Sequence, residues 1–184
     1  MELKTEKPKI FIIAGKARHG KDTTAGIIKE YYEKNGKKVI ILQYSSYIKE
    51  YAKKISNWDG SEETKPRELL QVLGTDVIRA KIDGEFFIKR ICGDIEVYSF
   101  FFDVIIISDS REPLEIDIPK SKFKNVYGIK VERTNFDDGM TDEQRKHYTE
   151  VAFDNYEKFD KVLANSGTIE ELKEKTIKYL KEVN

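Results

Sequence analysis

Two glycines five residues apart, with a lysine behind the second, make Gly15-Lys16-Ala17-Arg18-His19-Gly20-Lys21 the stretch of this chain best suited to hold an anion. Glycine lets the backbone coil so that successive N–H groups point into one concavity. Asp22 and Thr23 follow, and the pattern runs on as a helix. The free N–H groups and the dipole of that helix favour the same anion. The arrangement is the G-x-x-x-x-G-K of a P-loop, whose chemistry is phosphate binding. The backbone from Gly15 to Gly20 would wrap a phosphate chain, and Lys21 would reach its β- and γ-phosphates as a mobile point charge. A serine or threonine usually follows that lysine, but here the residue is Asp22. Asp22 either holds magnesium, directly or through water, or caps the helix. Thr23 is then placed for an α-phosphate.

Other chemistry-bearing residues recur at positions where a phosphate crevice would need them. Ser108-Asp109-Ser110-Arg111 follows an apolar run at 102–107. There Asp109 could steady magnesium or its waters, with Arg111 facing the same crevice; an acid after a strand is equally a turn residue. Arg67, Gln71, Thr75 and Arg79 recur every four residues. On one helix face they could grip a phosphate and a base edge, or they form a solvated face. Ser45 and Lys49 follow the apolar run 39–42 and could help to hold a substrate, although serines before a helix also serve as caps. Arg133 and Arg145 are candidates for neutralising a transferring phosphoryl group, and Arg133 is favoured because it lies nearer a strand end. His147 reads as an exposed or packed residue, since phosphoryl transfer depends on positioning more than on an imidazole.

The elements that must position these residues alternate. A strand over 10–14 precedes the glycine loop, and a helix then runs to Asn35-Gly36, a stop signal. The strand over 39–42 is apolar throughout, as expected for one buried on both faces. Strand, loop, helix and strand form a βαβ unit and a parallel sheet, whose ligands sit beyond the carboxyl ends of the strands. Thr64 and Pro66 open a helix through Arg79, with Leu69, Leu70, Leu73 and Val77 as its buried stripe. A further helix spans about 83–99. A proline-punctuated loop is expected around Pro113 and Pro119, then a strand over 126–131. The polar stretch 132–150 suits a lid, with Thr141 and Gln144 as a capping box. A strand over 161–164 and a helix boxed by Thr168 close the chain; Asn165-Ser166-Gly167 between them could contact an adenine ring.

The 184 residues suit one domain. Lysine plus arginine and aspartate plus glutamate each number 33, so no net field favours nucleic acid or a membrane surface. The single cysteine, Cys92, excludes an internal disulfide and reads as a small core residue. No apolar run approaches a membrane span, and Met1-Glu2-Leu3-Lys4-Thr5 has no signal-peptide core. A cytoplasmic location is expected.

Taken together, Gly15 through Thr23, the row from Arg67 through Thr75 with Arg79, Ser108 through Arg111, and Leu163 through Thr168 resemble a deoxynucleoside monophosphate kinase of the phage type, within the P-loop nucleoside monophosphate kinase superfamily. The resemblance spans nearly the whole chain, and Asp22 after the lysine is similar to what that group shows. It implies an α/β three-layer P-loop NTPase fold with a central parallel sheet, a monophosphate-binding helical region at about 44–98 and a small lid at about 132–150. It also implies transfer of the ATP γ-phosphoryl group to a (deoxy)nucleoside monophosphate with Mg2+. Lys21 and the loop would hold the donor, with Asp22, Thr23 and Asp109 managing the ion and α-phosphate. Ser45, Lys49, Arg67, Gln71, Thr75, Arg79 and Arg111 would bind the acceptor, and Arg133 would close over the reaction. The stretch Glu112-Pro113-Leu114 departs from the pattern, with little room for a long helix. The alternatives are a kinase of another small phosphorylated acceptor, of the phosphomevalonate or dephospho-coenzyme A type, and a nucleotide-binding module without turnover. Neither base nor sugar is declared by any residue, and a homodimer is one option for the oligomeric state.

Overall fold

Five parallel strands, β1 (Lys9–Ala14), β2 (Val39–Leu42), β3 (Val104–Ser110), β4 (Val126–Glu132) and β5 (Lys161–Ala164), lie side by side in the order β2-β3-β1-β4-β5. The computed structural model that shows them describes residues 3–134, 136, 139, 141, 146 and 148–183. Among the described residues, seven α-helices accompany the sheet: α1 (Lys21–Lys34), α2 (Tyr44–Ser56), α3 (Arg67–Gln71), α4 (Phe86–Tyr98), α5 (Leu114–Lys122), α6 (Tyr148–Val151) and α7 (Ile169–Glu182). Residues Val72–Ile82 continue α3 as a π-helix. None of these helices is long and apolar enough to cross a membrane, among the described residues.

Strand periodicity divides the core into two layers. Phe11 and Ile13 of β1, with Val104 and Ile106 of β3, pack beneath α1 and α7. Ile10, Ile12 and Ala14, with Ile105 and Ile107, face α4 and α5, where Cys92 is buried as expected. The central strands are covered on both faces, as a parallel sheet requires. β2 is not, because it forms an edge of the sheet, and Ile41 remains 36% exposed. An apolar run of four residues reads the same at an edge as at the centre.

Three local departures shape the crevice at the strands' carboxyl ends. First, Ile12 of β1 pairs with Ile107 and Ala14 with Ser110, so β3 advances three residues while β1 advances two. The extra residue is a bulge at Ser108-Asp109, a device that turns a side chain at the end of a strand; Asp109 thus belongs to β3 rather than to the turn after it. Second, the helix opened by Arg67 widens after Gln71, and its buried residues become Leu73, Gly74 and Ile78 in place of an evenly buried Leu69, Leu70, Leu73 and Val77. The spacing of five between Leu73 and Ile78 is that of a π-helix, which bonds i to i+5.

Third, α5 stands where the sequence suggests only a proline-punctuated loop. Pro113 precedes its first turn, where a missing N–H costs nothing. Glu115 and Asp117 in the first turn and Lys120 and Lys122 in the last complement its dipole. Pro119 lies inside the helix and cannot donate to the Glu115 carbonyl four residues back. The Tyr44 hydroxyl donates to that carbonyl instead, at 2.8 Å.

The last helix follows the sequence expectation. The Thr168 hydroxyl accepts from the Glu171 N–H while the Glu171 carboxylate accepts from the Thr168 N–H, a complete capping box.

The glycine loop has no slack against β4. A methyl group on Gly15 would come within 2.4 Å of the Val131 carbonyl oxygen, and Gly15 has φ +148°. Gly15→Ala should therefore lower stability by about 2–3 kcal/mol, measured as a fall in the urea unfolding midpoint, whereas Gly26→Ala, with open space around it, should not.

Candidate active site

The loop between β1 and α1 coils as its glycines permit. Gly15, Arg18 and Gly20 all have positive φ, at 148°, 61° and 100°. Gly20 is the N-cap of α1 in a left-handed conformation and makes no side-chain cap bond, so Asp22 is not the cap; it is an exposed acid in the first turn. Thr23 is exposed beside it, while Thr24 is buried and donates its hydroxyl to the Gly20 carbonyl at 3.0 Å. The buried Lys21 ammonium donates to the carbonyls of Gly15 at 2.8 Å and Lys16 at 2.9 Å. Burial, and next the Arg111 guanidinium, hold its pKa down at about 8.

Neighbouring strand ends clamp the loop. Asn165 donates its side-chain amide to the His19 carbonyl at 2.9 Å, and its own N–H bonds the Glu132 carbonyl at 2.8 Å. His19 is buried, which lowers its pKa, and its Nδ1 accepts the Arg133 N–H at 3.0 Å. The Phe136 ring stands edge-on to His19, with ring centroids 5.5 Å apart, and carries the Arg133 guanidinium 4.4 Å from its own centroid. Thr134 and Ser166 share a hydroxyl hydrogen bond of 2.9 Å beside them. Arg133 is exposed on this flank of the loop, and among the described residues it meets His19 and Phe136 rather than the Arg79 and Arg111 cluster. Arg145, His147 and the box residue Gln144 lie outside the described residues.

The opposite flank is ionic. Asp109 accepts the Tyr44 N–H on one oxygen at 2.8 Å and the Ser45 N–H on the other at 3.0 Å. The first amides of α2 are thus capped from β3, and neither Ser45 nor Ser46 is the cap; Gln43 is the N-cap, so the helix starts two residues earlier than a cap at Ser45 implies. Gln43 adds a bond to Ser108 at 3.1 Å. Arg111 donates its N–H to Glu115 at 2.6 Å and its Nη1 to Glu150 at 2.7 Å. Arg79 donates Nη2 to the other oxygen of Glu115 at 3.0 Å and faces Glu112 at 3.4 Å, with the Phe87 ring beneath its guanidinium. Glu112 also accepts the Tyr148 hydroxyl at 3.0 Å. Glu115 is 1% exposed, and burial pushes its carboxyl up to about 8 despite the two donors.

Lys21, Asp109, Arg111, Arg79 and the backbone of Ser45 therefore meet around one crevice. Arg67 does not join them: its side chain is 75% exposed and pairs with Glu62 at 3.0 Å. Gln71 and Thr75 are exposed, and Lys49 is half-buried on α2. The four-residue row is broken because the helix widens to a π-helix between its members. Sequence reasoning missed Glu112, Glu115 and Glu150. The only available signal was that two arginines expected in a dry crevice require counter-charges, and isolated glutamates do not announce that role.

A family model for deoxynucleotide monophosphate kinases matches residues 31–176. The chain belongs to that family. The match begins inside α1, so the glycine loop before it stands as independent support. No curated protein matches the chain. Among solved structures, the fold is similar to a Mycobacterium tuberculosis APS kinase in complex with AMPPNP and APS, with TM-score 0.58, 12% identity, and 95% of this chain and 98% of that one covered. It is also similar to dephospho-CoA kinase from Campylobacter jejuni (TM-score 0.52, 14% identity, 96% and 98% covered) and shikimate kinase from Aquifex aeolicus (TM-score 0.52, 15% identity, 94% and 96% covered). Identities this low speak for the shared three-layer fold alone. This deoxynucleotide monophosphate kinase family member is thus a P-loop kinase that acts on a nucleotide-like acceptor.

Two measurements probe the kinase crevice. Arg79→Met would take their guanidinium partner from the buried Glu112 and Glu115 and should cost about 1–3 kcal/mol in chemical unfolding, while Arg67→Ala should stay within about 1 kcal/mol. Lys21 must be charged to attract phosphate, so affinity for AMPPNP should be steady below the ammonium's pKa of about 8 and fall above it. The expected loss approaches tenfold per pH unit, the slope for uptake of one proton, read by titration calorimetry.

Proposed function

We propose that this kinase transfers the γ-phosphoryl group of ATP to a deoxynucleoside monophosphate. The observation that carries the reading is the convergence of the glycine loop, Lys21 and Arg111 on one crevice at the carboxyl ends of β1 and β3. The amides between Gly15 and Gly20 would hold the donor's phosphate chain, and Lys21 would exchange its two loop carbonyls for β- and γ-phosphate oxygens. Arg111, beside Lys21, would hold the acceptor phosphate and the transferring group. Its fork suits a pair of phosphoryl oxygens. An oxygen of the acceptor phosphate attacks the γ-phosphorus, the bond from that phosphorus to the β,γ-bridging oxygen breaks, and ADP leaves. No protein base is needed, because a phosphate monoester is largely dianionic at neutral pH.

Magnesium fits this donor set. Among the described residues, no group of three or more histidine, cysteine, aspartate or glutamate side chains could hold a metal. Magnesium keeps much of its water and takes phosphate oxygens, so one or two carboxylates suffice. Asp22, exposed at the start of α1, would hold it, and Asp109 would order its waters while its oxygens cap α2. When bound, the ion neutralises charge developing on the β- and γ-oxygens. Arg79, Ser45 and Lys49 border the acceptor side. On the other flank, Arg133 over Phe136, with Asn165-Ser166-Gly167, would contact the donor's base. Residues of about 44–98 would form the acceptor region of a single domain, with the lid at about 132–150.

A coupled ADP-release assay over the common ribo- and deoxyribonucleoside monophosphates tests the reading. Turnover should depend on a deoxynucleoside monophosphate, and Lys21→Ala should lower kcat at least about 100-fold while the far-UV circular dichroism of the folded protein is retained. ADP release that no monophosphate stimulates would sink it.

A further inference from the structure

We propose that Glu150 is an internal anion that occupies the phosphate groups' place on the loop and must be displaced when the donor binds. The proposal rests on the reading of residues 15–21 as the donor's phosphate loop. Glu150 lies on α6 and is 8% exposed. One carboxylate oxygen accepts the Ala17 N–H at 2.8 Å, and the other accepts Arg111 Nη1 at 2.7 Å. A loop amide and an arginine fork are the two kinds of donor that phosphoryl oxygens take, and here one side chain takes both. Lys21 also feels the charge of Glu150, which raises its pKa against the effect of burial. A second contact ties the same segment to the loop: Lys16 pairs with Asp154 at 2.8 Å. That pair is half-exposed, so Glu150 is the stronger tie.

The carboxylate cannot share these donors with a phosphate. Two anions within hydrogen-bond reach of one amide repel each other strongly where water is scarce. Donor binding therefore requires a state in which Glu150 has left Ala17, and the apparent affinity is lowered by the fraction of molecules in that state. In the absence of donor, the same bond keeps Arg111 neutralised and the loop in its coiled form. Glu150 thus acts as a competitor of the substrate rather than as a group that only holds Arg111.

The two roles give effects of opposite sign in Glu150→Gln, which preserves shape and can still accept from Ala17 but carries no charge. Competition predicts that this variant binds AMPPNP about tenfold more tightly than the wild type in titration calorimetry, with a lower KM for ATP and unchanged affinity for adenosine. A purely positioning role predicts a lower kcat with AMPPNP affinity equal or weaker, and that result would overturn the proposal. Should the variant not fold, a crystal structure of the wild type with AMPPNP decides: the carboxylate of Glu150 is expected beyond hydrogen-bond distance of Ala17 N, and an intact bond there refutes displacement. Wild-type protein that binds no AMPPNP would instead remove the phosphate-loop reading, and the proposal with it.

Discussion

Three cations, Lys21, Arg79 and Arg111, are collected where the strands end, and charges this close and this dry need counter-charges at all times. Phosphates can supply them during turnover. In the protein alone they are met by Glu112 and Glu150, and Glu115 accepts hydrogen bonds from Arg79 and Arg111. Much of the surrounding architecture brings these glutamates to the arginines. Pro113 and the dipole-matched charges of α5 deliver Glu112 and Glu115 to the edge of the crevice, and α6 delivers Glu150. The Tyr44 hydroxyl repairs the carbonyl that Pro119 leaves open, so the start of α2 and the body of α5 are held together beneath the same charges.

A second coupling runs through Asp109. Its two oxygens cap two amides of α2, which fixes the acceptor-side helix to the end of β3 rather than to its own serines. The bulge in β3 turns Asp109 to that position. The start of α2 is thereby tied to the end of β3 through one side chain. The π-helix that follows α3 adds another constraint. Its wider turn buries Leu73 and Ile78 while carrying Arg79 inward to Glu115, and it leaves Arg67 at the surface.

The loop itself was the most legible part of the molecule. Glycines at the two positions with φ of 148° and 100°, a lysine behind them, a strand before and a helix after each have one local cause, and each was found where expected. The capping box of Thr168 and Glu171 and the buried Cys92 belong to the same category. Legibility failed where the deciding partner was distant. β2 reads as a central strand because nothing in Val39-Ile40-Ile41-Leu42 records which strand lies beside it. α5 reads as a loop because its prolines are visible and the Tyr44 hydroxyl that tolerates one of them is not. The regular row from Arg67 to Arg79 reads as one face because a four-residue spacing presumes an α-helix.

Sequence alone therefore determined the phosphate-binding chemistry and the alternating α/β plan, since both arise from backbone freedom and side-chain periodicity within a few residues. Tertiary structure decided which charges neutralise which. Arg79 with Glu115 spans 36 positions, Arg111 with Glu150 spans 39, and Ala17 with Glu150 spans 133. An ion pair depends on distance and burial, and neither quantity exists until the chain has closed on itself.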